Sequence, residues 1–165
     1  MKTFKQFLFE ENTPMQDMDH PHHRAAAEIH AAWMERNPKS DFNAAQHVDY
    51  RDLPETEQKK DIEHVETVGR LMSEIPVPKG GLDEHRLAVA SAFGEIQHEN
   101  WRKSLPDSEK FNPDGTVKPR MRTKFGKMVD LNRPWDELED EAKRENHEAG
   151  LAAYDAHTTH VGSAQ

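Results

Sequence analysis

Two His-x-x-Trp pairs are the residues best suited to bind a flat ligand. His30 precedes Trp33 by three residues, and His98 precedes Trp101 by the same distance. An indole face stacks on planar rings, which contributes on the order of 1–3 kcal/mol for a nucleobase. In the alternative interpretation each tryptophan belongs to a helix-packing core, and each histidine bonds a backbone carbonyl.

Tyr50 and Trp135 supply two further aromatic side chains, and each is followed three residues later by a leucine. They could line the same ligand site, or they could belong to the core. Their type and spacing leave both interpretations open.

A basic stretch in the second half of the chain indicates an anionic ligand. Arg102 and Lys103 directly follow Trp101. Phosphate groups are bound by such cations or by helix N-termini. The alternative is a solvated loop. The remaining basic residues of this stretch are Lys118, Arg120, Arg122, Lys124 and Lys127.

Other chemistries have weak support. The chain has no cysteine, which excludes disulfides, zinc thiolates and cysteine nucleophiles. His20-Pro21-His22-His23 and His157-x-x-His160 could bind a divalent metal, but neither has a fixed third and fourth ligand. No glycine-rich phosphate loop or His-Glu-x-x-His motif occurs. We therefore expect neither an enzyme nor a cofactor or metal site.

Composition limits the fold and the partners. Leu, Ile, Val and Phe make up 28 of 165 residues, which predicts one or two thinly cored domains. The formal charge of −9 argues against extensive nucleic-acid binding. The longest apolar run, residues 87–93, is far shorter than the roughly 20 residues of a membrane span, so no membrane association is expected.

The chain contains two copies of one pattern. Tyr50 aligns with Trp135 at an offset of 85, whereas Trp33 and Trp101 differ by 68. The second copy therefore has 17 extra residues, which we place within an insertion at 105–122, where prolines and Asp-Gly mark turns. The predicted division is a first unit at 24–75, a linker at 76–82, a second unit at 83–157 and a tail at 158–165.

Each unit is predicted to be a helical hairpin. Residues 24–36 place Ile29 and Trp33 on one helical face, and Asn37-Pro38 should end that helix. Apolar residues recur every three or four positions between Ile62 and Ile75. One hairpin has too little apolar surface to fold alone. The expected fold is therefore mainly α, with short extended segments and two hairpins packed about a pseudo-two-fold axis.

The order His-x-x-Trp, then aromatic-x-x-Leu-Pro-x-x-Glu-x-x-x-Asp, resembles the ryanodine-receptor (RyR) repeat. This resemblance implies a cleft between paired repeats that takes adenine-nucleotide-like ligands. Trp33 and Trp101 would line the cleft from its two sides. The second copy departs from the pattern at Glu139, Ala142 and Asn146. The matching residues are His30, Trp33, Tyr50, Leu53, Pro54, Glu57 and Asp61, and then His98, Trp101, Pro134, Trp135, Leu138 and Lys143.

Residues 1–10 resemble the capsid-targeting peptide of large contractile-tailed bacteriophages. The matching positions begin with Met1-Lys2-Thr3-Phe4 and continue with Phe7, Leu8 and Glu10. The resemblance implies entry into the prohead and cleavage after Glu10, although Glu11 departs from the small residue usual there. The alternative is an ordinary amphipathic N-terminus. Residues 11–23 are predicted to form a flexible joint.

The two resemblances together predict a non-enzymatic phage protein that binds a nucleotide-like ligand. It would be carried in the capsid, would enter the host cytoplasm with the genome, and could sequester a host signalling nucleotide. The candidate ligand-binding residues are His30, Trp33, Tyr50, His98, Trp101, Arg102 and Trp135. The alternative is an internal virion protein whose repeats make only protein contacts.

Overall fold

The computed structural model describes residues 19–164, so the predicted targeting peptide and its Glu10 processing site lie outside the described residues. The described part is mainly helical, as predicted. Its elements are, in chain order, α1 (Pro21–Arg36), a 3-10 turn (Tyr50–Asp52), α2 (Glu55–Glu74), α3 (Leu82–Ser104), α4 (Asp107–Lys110), β1 (Met121–Lys124), β2 (Lys127–Asp130), a 3-10 turn (Trp135–Glu137) and α5 (Asp140–His160).

Helix α1 begins earlier than predicted. The His20 ring accepts a hydrogen bond from the backbone N–H of His22 at 3.2 Å, and Pro21 occupies the first turn, where its missing N–H costs nothing. The end of the proposed flexible joint, residues 21–23, is therefore helical. The helix stops at Asn37, before Pro38, as predicted.

The other boundaries follow similar rules. Helix α2 starts directly after Pro54 and has Glu55 and Glu57 in its first turn, where the positive end of the helix dipole stabilises carboxylates. Gly81, with φ of 93°, precedes α3 in a backbone conformation that favours glycine. Helix α5 continues to His160, so the first three residues of the predicted tail are helical.

Four long helices form one bundle. Helices α2 and α5 contact each other, and α1 and α3 each pack against both of them. The main core draws on all four helices, with Ile29, Val65, Phe93 and Ala153 among its buried residues. None of the described helices is long and apolar enough to cross a membrane.

Helices α3 and α5 approach each other closely at Ala90 and Gly150. A Cβ atom on Gly150 would lie 2.6 Å from the Ala90 carbonyl oxygen and 2.8 Å from its Cα. The aligned position of the first unit is Val65, a buried residue with a full side chain. The second hairpin therefore needs glycine where the first accommodates valine.

The segment between α3 and Trp135 is longer and more ordered than the turns predicted for 105–122. We call residues 105–131 the connecting segment. It contains α4, a bridge between Phe111 and Val117, and the antiparallel hairpin β1–β2. Phe125, with φ of 49°, and Gly126, with φ of 80°, make the hairpin turn. Val129, on β2, is buried with Trp135, Leu138 and Ala142 in a second small core.

Candidate functional site

His30 and His98 make the same hydrogen bond in the two units. The His30 Nε2 atom lies 2.7 Å from the Val48 carbonyl oxygen, and His98 Nε2 lies 2.7 Å from that of Arg133. These carbonyls stand two residues before Tyr50 and Trp135. Because a carbonyl only accepts, Nε2 carries the proton in both rings. Each histidine thus ties a first helix to the loop that precedes the 3-10 turn.

Trp33 and Trp101 also occupy similar local positions. The Trp33 ring lies 5.7 Å from the His30 ring with an interplanar angle of 16°, and Trp101 lies 5.8 Å from His98 at 34°. Both tryptophans are half-buried. Their wider surroundings differ, however.

Trp33 lines a cavity of about 210 Å³ in the first unit, which we call the Trp33 cavity. Helix α2 supplies one wall and the loop before Tyr50 supplies part of another. Trp101 is not among the lining residues, so the two tryptophans do not face one another across this space as the resemblance implied. The lining residues are His30, Trp33, Gln46, Leu53, Glu57, Lys60, Asp61 and His64.

The Trp33 cavity has an acidic interior. Burial, together with the nearby Glu57 carboxylate, raises the pKa of Asp61 to about 7. The Asp61 Oδ2 atom lies 3.9 Å from His30 Nδ1. Burial also lowers the pKa of His64, and the exposed Lys60 pairs with Glu57 at 3.2 Å. The lining has two carboxyl groups, those of Glu57 and Asp61, against one lysine, so the cavity suits a cationic or hydrogen-donating group better than an anion.

Trp101 is covered by the connecting segment. The Arg120 guanidinium carbon lies 5.4 Å from the centre of the Trp101 ring, within the range of a cation–π contact. The carboxylate of Asp130 accepts a hydrogen bond from the Arg120 backbone N–H at 2.8 Å, and Glu109 pairs with the guanidinium at 3.2 Å. The second unit thus supplies its own occupant for the tryptophan face.

The residues aligned with the acidic wall are neutral in the second unit. Ala142 stands where the first unit has Glu57, and Asn146 stands where it has Asp61. Ala142 is buried under Val129 of the hairpin. The units therefore share their histidine and tryptophan geometry but differ in the chemistry beside it.

Tyr50 and Trp135 are core residues, 3% and 5% exposed. The Tyr50 hydroxyl lies 2.8 Å from His23 Nδ1, and burial raises the pKa of Tyr50. Trp135 packs so closely on α3 that a Cβ atom on Gly94 would lie 2.7 Å from its Cη2 atom. One edge of Trp135 also borders a cavity of about 460 Å³ between α3 and the start of α5, where Lys143 lies 5.6 Å from the ring centre.

Arg102 lines a different cavity, of about 190 Å³, which we call the basic cavity. Its guanidinium pairs with Glu99 at 3.0 Å and lies 3.4 Å from the Asn132 side-chain oxygen. Asn132 is buried and donates to two carbonyls of the connecting segment. The lining residues are Glu99, Arg102, Lys103, Lys110, Phe111, Val117 and Asn132.

Sequence reasoning did not select Lys110, Phe111 and Asn132 for this site. Lys110 and Phe111 lie next to the basic stretch, so the local charge was an available signal for them. No local sequence pattern could identify Asn132, because its hydrogen-bond partners lie 14 and 22 residues earlier in the chain.

Several cations of the basic stretch hold the connecting segment in place. Lys124 pairs with Glu145 of α5 at 2.9 Å, and Lys127 pairs with Glu139 at 2.7 Å. The Glu139 carboxylate raises the pKa of Lys127. The charge reversal seen in the sequence is therefore largely offset within the second unit, apart from the basic cavity.

The candidate metal motifs form no metal cluster in the part of the chain that the structure describes. His157 lies 2.8 Å from the Gly162 carbonyl oxygen, and His160 lies 3.3 Å from the Glu28 carboxylate. These two contacts join the end of α5 to the residues that follow it and to α1.

No protein-family model, curated protein or solved structure matches the chain. The geometry of the Trp33 cavity and of the basic cavity is therefore the basis for the proposals below.

Proposed function

We propose that the chain is a non-enzymatic binding protein of a tailed phage, built from two RyR-like repeats, that takes a nucleotide-like ligand. Residues 1–10 would direct it into the capsid, and release with the genome would bring it into the host cytoplasm. There it could sequester a signalling nucleotide.

The repeat assignment is supported by the matched hydrogen bonds of His30 and His98. Each bond joins the same nitrogen to a carbonyl at the same place in the pattern. The buried leucines Leu53 and Leu138 also occupy equivalent positions directly after the two 3-10 turns. These contacts favour two copies of one module over two unrelated hairpins.

The observation that carries the ligand proposal is the basic cavity. Arg102, Lys103 and Lys110 line it together with Phe111, whose side chain is 44% exposed, in a chain whose formal charge is −9. Only Glu99 opposes the three cations within the lining. Cations suit a phosphoryl group, and the exposed Phe111 ring offers a face for a base. At about 190 Å³ the cavity would enclose the phosphate end and leave the base on its rim.

A thermal-shift and calorimetric screen of the full chain against mono-, di- and cyclic nucleotides tests this proposal. A ligand at 100 times its dissociation constant should stabilise the protein by ~2.7 kcal/mol. Lys103→Ala and Phe111→Ala should each weaken binding by about tenfold, because one removes a phosphate partner and the other removes a stacking face.

Arg122→Ala is the matched control, since it removes a hairpin cation whose guanidinium bonds to the Met121 carbonyl and which does not line the basic cavity. It should leave the affinity within about twofold of the parent. Absence of a shift with every nucleotide, or equal weakening by the control, would contradict the proposal.

A second candidate function is an internal virion protein that makes only protein contacts. It is favoured by the apolar side chains that the hairpin exposes, Met121 at 46%, Phe125 at 50% and Met128 at 57%. Exposed apolar patches often mark protein interfaces. Under this alternative, Met128→Ser should abolish co-sedimentation with proheads while nucleotides have no effect on stability.

A further inference from the structure

The second unit shows what can lie on the tryptophan face of this module. Arg120 places its guanidinium carbon 5.4 Å from the Trp101 ring centre, and the connecting segment delivers it. The first unit has no such segment, because only a short loop, residues 37–49, joins α1 to its 3-10 turn. Trp33 borders a cavity instead, and the loop brings only the His47 ring near it, 6.2 Å away at 51°.

The acidic wall of the Trp33 cavity complements a cation. Glu57 and Asp61 stand where the second unit has alanine and asparagine. The carboxylate that the second unit has on this wall, Glu145 at the position of Lys60, already pairs with Lys124 of the hairpin. Lys60, the nearest cation of the lining, is 66% exposed and pairs with Glu57 at the rim. Asp61, with 16% of its side chain exposed, stays inside.

We propose that the Trp33 cavity docks an arginine side chain of a partner polypeptide, with the guanidinium over Trp33 and against the Asp61 carboxylate. This interaction is separate from the nucleotide-like site of the basic cavity. At about 210 Å³ the cavity has room for a guanidinium and part of its aliphatic stem.

Arginine fits this site better than lysine for geometric reasons. A guanidinium is planar, so it can stack on an indole and donate two parallel hydrogen bonds to one carboxylate. An ammonium group is a compact point charge without a stacking face. The His30 Nδ1 atom, whose ring donates through Nε2 to Val48, offers a further acceptor beside Asp61.

The indole N–H signals of the ¹⁵N-labelled full chain provide the test. The chain has three tryptophans, and Trp33→Phe identifies the Trp33 signal by its loss. The probe is a capped peptide with the sequence Lys-Pro-Arg-Met-Arg, which copies residues 118–122 and thus the arginine that covers Trp101. Control peptides replace both arginines with lysine or with glutamine.

The arginine peptide should shift the Trp33 signal in a saturable way, the lysine peptide should bind several-fold more weakly, and the glutamine peptide should have no effect. Asp61→Asn should lower the association constant about fivefold or more, because it removes the carboxylate. Asp83→Asn removes the same charge from the exposed first turn of α3, and it should change the constant by less than about twofold.

The proposal is overturned if the arginine peptide leaves the Trp33 signal unchanged at about 10 mM, a concentration that detects even a weak single-side-chain contact. It is also overturned if the glutamine peptide binds equally well, or if Asp61→Asn has no more effect than Asp83→Asn. The remaining signals of each spectrum report whether the variant is folded.

Discussion

The two units differ most where their local geometry is most alike. His30 and His98 make identical backbone hydrogen bonds, yet Trp33 borders an acidic cavity and Trp101 lies under Arg120. The same histidine contact thus accompanies two different surroundings of a tryptophan. Two helical hairpins with matching local geometry can therefore differ in whether that tryptophan borders a cavity or is covered by a side chain.

The cores under the two 3-10 turns differ in a compensating way. In the second unit Trp135 packs on Gly94. The aligned residues of the first unit are the smaller ring of Tyr50 and the larger Ala26, both buried in the main core. The Tyr50 hydroxyl lies 2.8 Å from His23 Nδ1, whereas Trp135 has no hydroxyl to make such a contact. The methyl group that is missing from Gly94 of α3 is thus offset by the larger ring of Trp135.

The largest expected difference between the units is in what their aligned residues, Asp61 and Asn146, contribute to the free energy of unfolding. A buried aspartate lowers the stability of the folded protein when it is ionised. Burial raises the pKa of Asp61 to about 7, against about 3.9 in an unfolded chain. The folded protein therefore holds this proton more tightly, and the loss of stability is absent below pH 4, grows as pH rises and is complete above about pH 7. Asp61→Asn, which copies Asn146, should stabilise the protein at pH 8 by on the order of 2–4 kcal/mol.

Urea unfolding of parent and variant between pH 4 and 8 measures this effect. The advantage of Asp61→Asn should shrink towards zero at pH 4, because the parent carboxyl is then protonated in both states. Asp83→Asn serves as the control: it removes a carboxylate that the dipole of α3 stabilises, so it should destabilise by at most about 1 kcal/mol, opposite in sign to Asp61→Asn. A constant difference at all pH values would show that Asp61 is not the group that titrates.

A double-mutant cycle on Gly94 and Trp135 tests the compensation between helix and ring. A Cβ atom on Gly94 would lie 2.7 Å from Trp135 Cη2, so Gly94→Ala should cost about 1–3 kcal/mol through overpacking. Trp135→Tyr alone should also destabilise, because it leaves a cavity. Together they copy the first unit, and a coupling energy of about 1–2 kcal/mol in favour of the double variant is expected.

Thermal or urea unfolding of the four proteins gives that coupling energy. Gly162→Ala is the control partner, because no atom lies within 4 Å of its added Cβ, and its effect should simply add to that of Trp135→Tyr. Additive effects of Gly94→Ala and Trp135→Tyr would mean that the second hairpin relaxes around the ring.

Local sequence rules predicted the helices and several of their ends. Pro38, Pro54 and Pro76 mark helix boundaries through backbone sterics, which depend only on neighbouring residues. The end of the proposed joint was wrong because His20 caps α1 with its side chain, a role less common than for serine or aspartate.

The candidate site was harder to predict, because its character depends on contacts between distant residues. Residues 105–122 were interpreted as turns, and their relation to Trp101 could not be seen from spacing alone. Arg120 lies over Trp101 while its backbone N–H bonds to Asp130 of β2 and its guanidinium pairs with Glu109. Lys124 reaches Glu145 across 21 positions. The structure places Trp33 and Arg102 at separate cavities, and the shared cleft implied by the resemblance stays a prediction.

The smallest expected effect on stability comes from removing the Arg120 side chain that covers Trp101. Arg120→Ala should cost under about 1 kcal/mol, since a partly exposed cation–π contact and one surface ion pair are both weak. It should nevertheless expose the Trp101 ring, because it removes the guanidinium that lies over the ring. The backbone of the connecting segment should stay in place, because the substitution keeps the hydrogen bond from the residue 120 N–H to Asp130. In a Trp33→Phe background Trp135 is only 5% exposed, so acrylamide quenching of fluorescence reports mainly Trp101.

Quenching in that background should rise about twofold with Arg120→Ala and should stay unchanged with Arg122→Ala, whose guanidinium bonds to the Met121 carbonyl. Unchanged quenching would mean that other parts of the connecting segment cover Trp101. Added acidity then separates cover from charge: Arg120→Ala combined with Asn146→Asp should bind the arginine peptide at Trp101, while Ala142 is left unchanged because it is buried under Val129. Cover alone would account for the difference between the units if Arg120→Ala sufficed without the added acid.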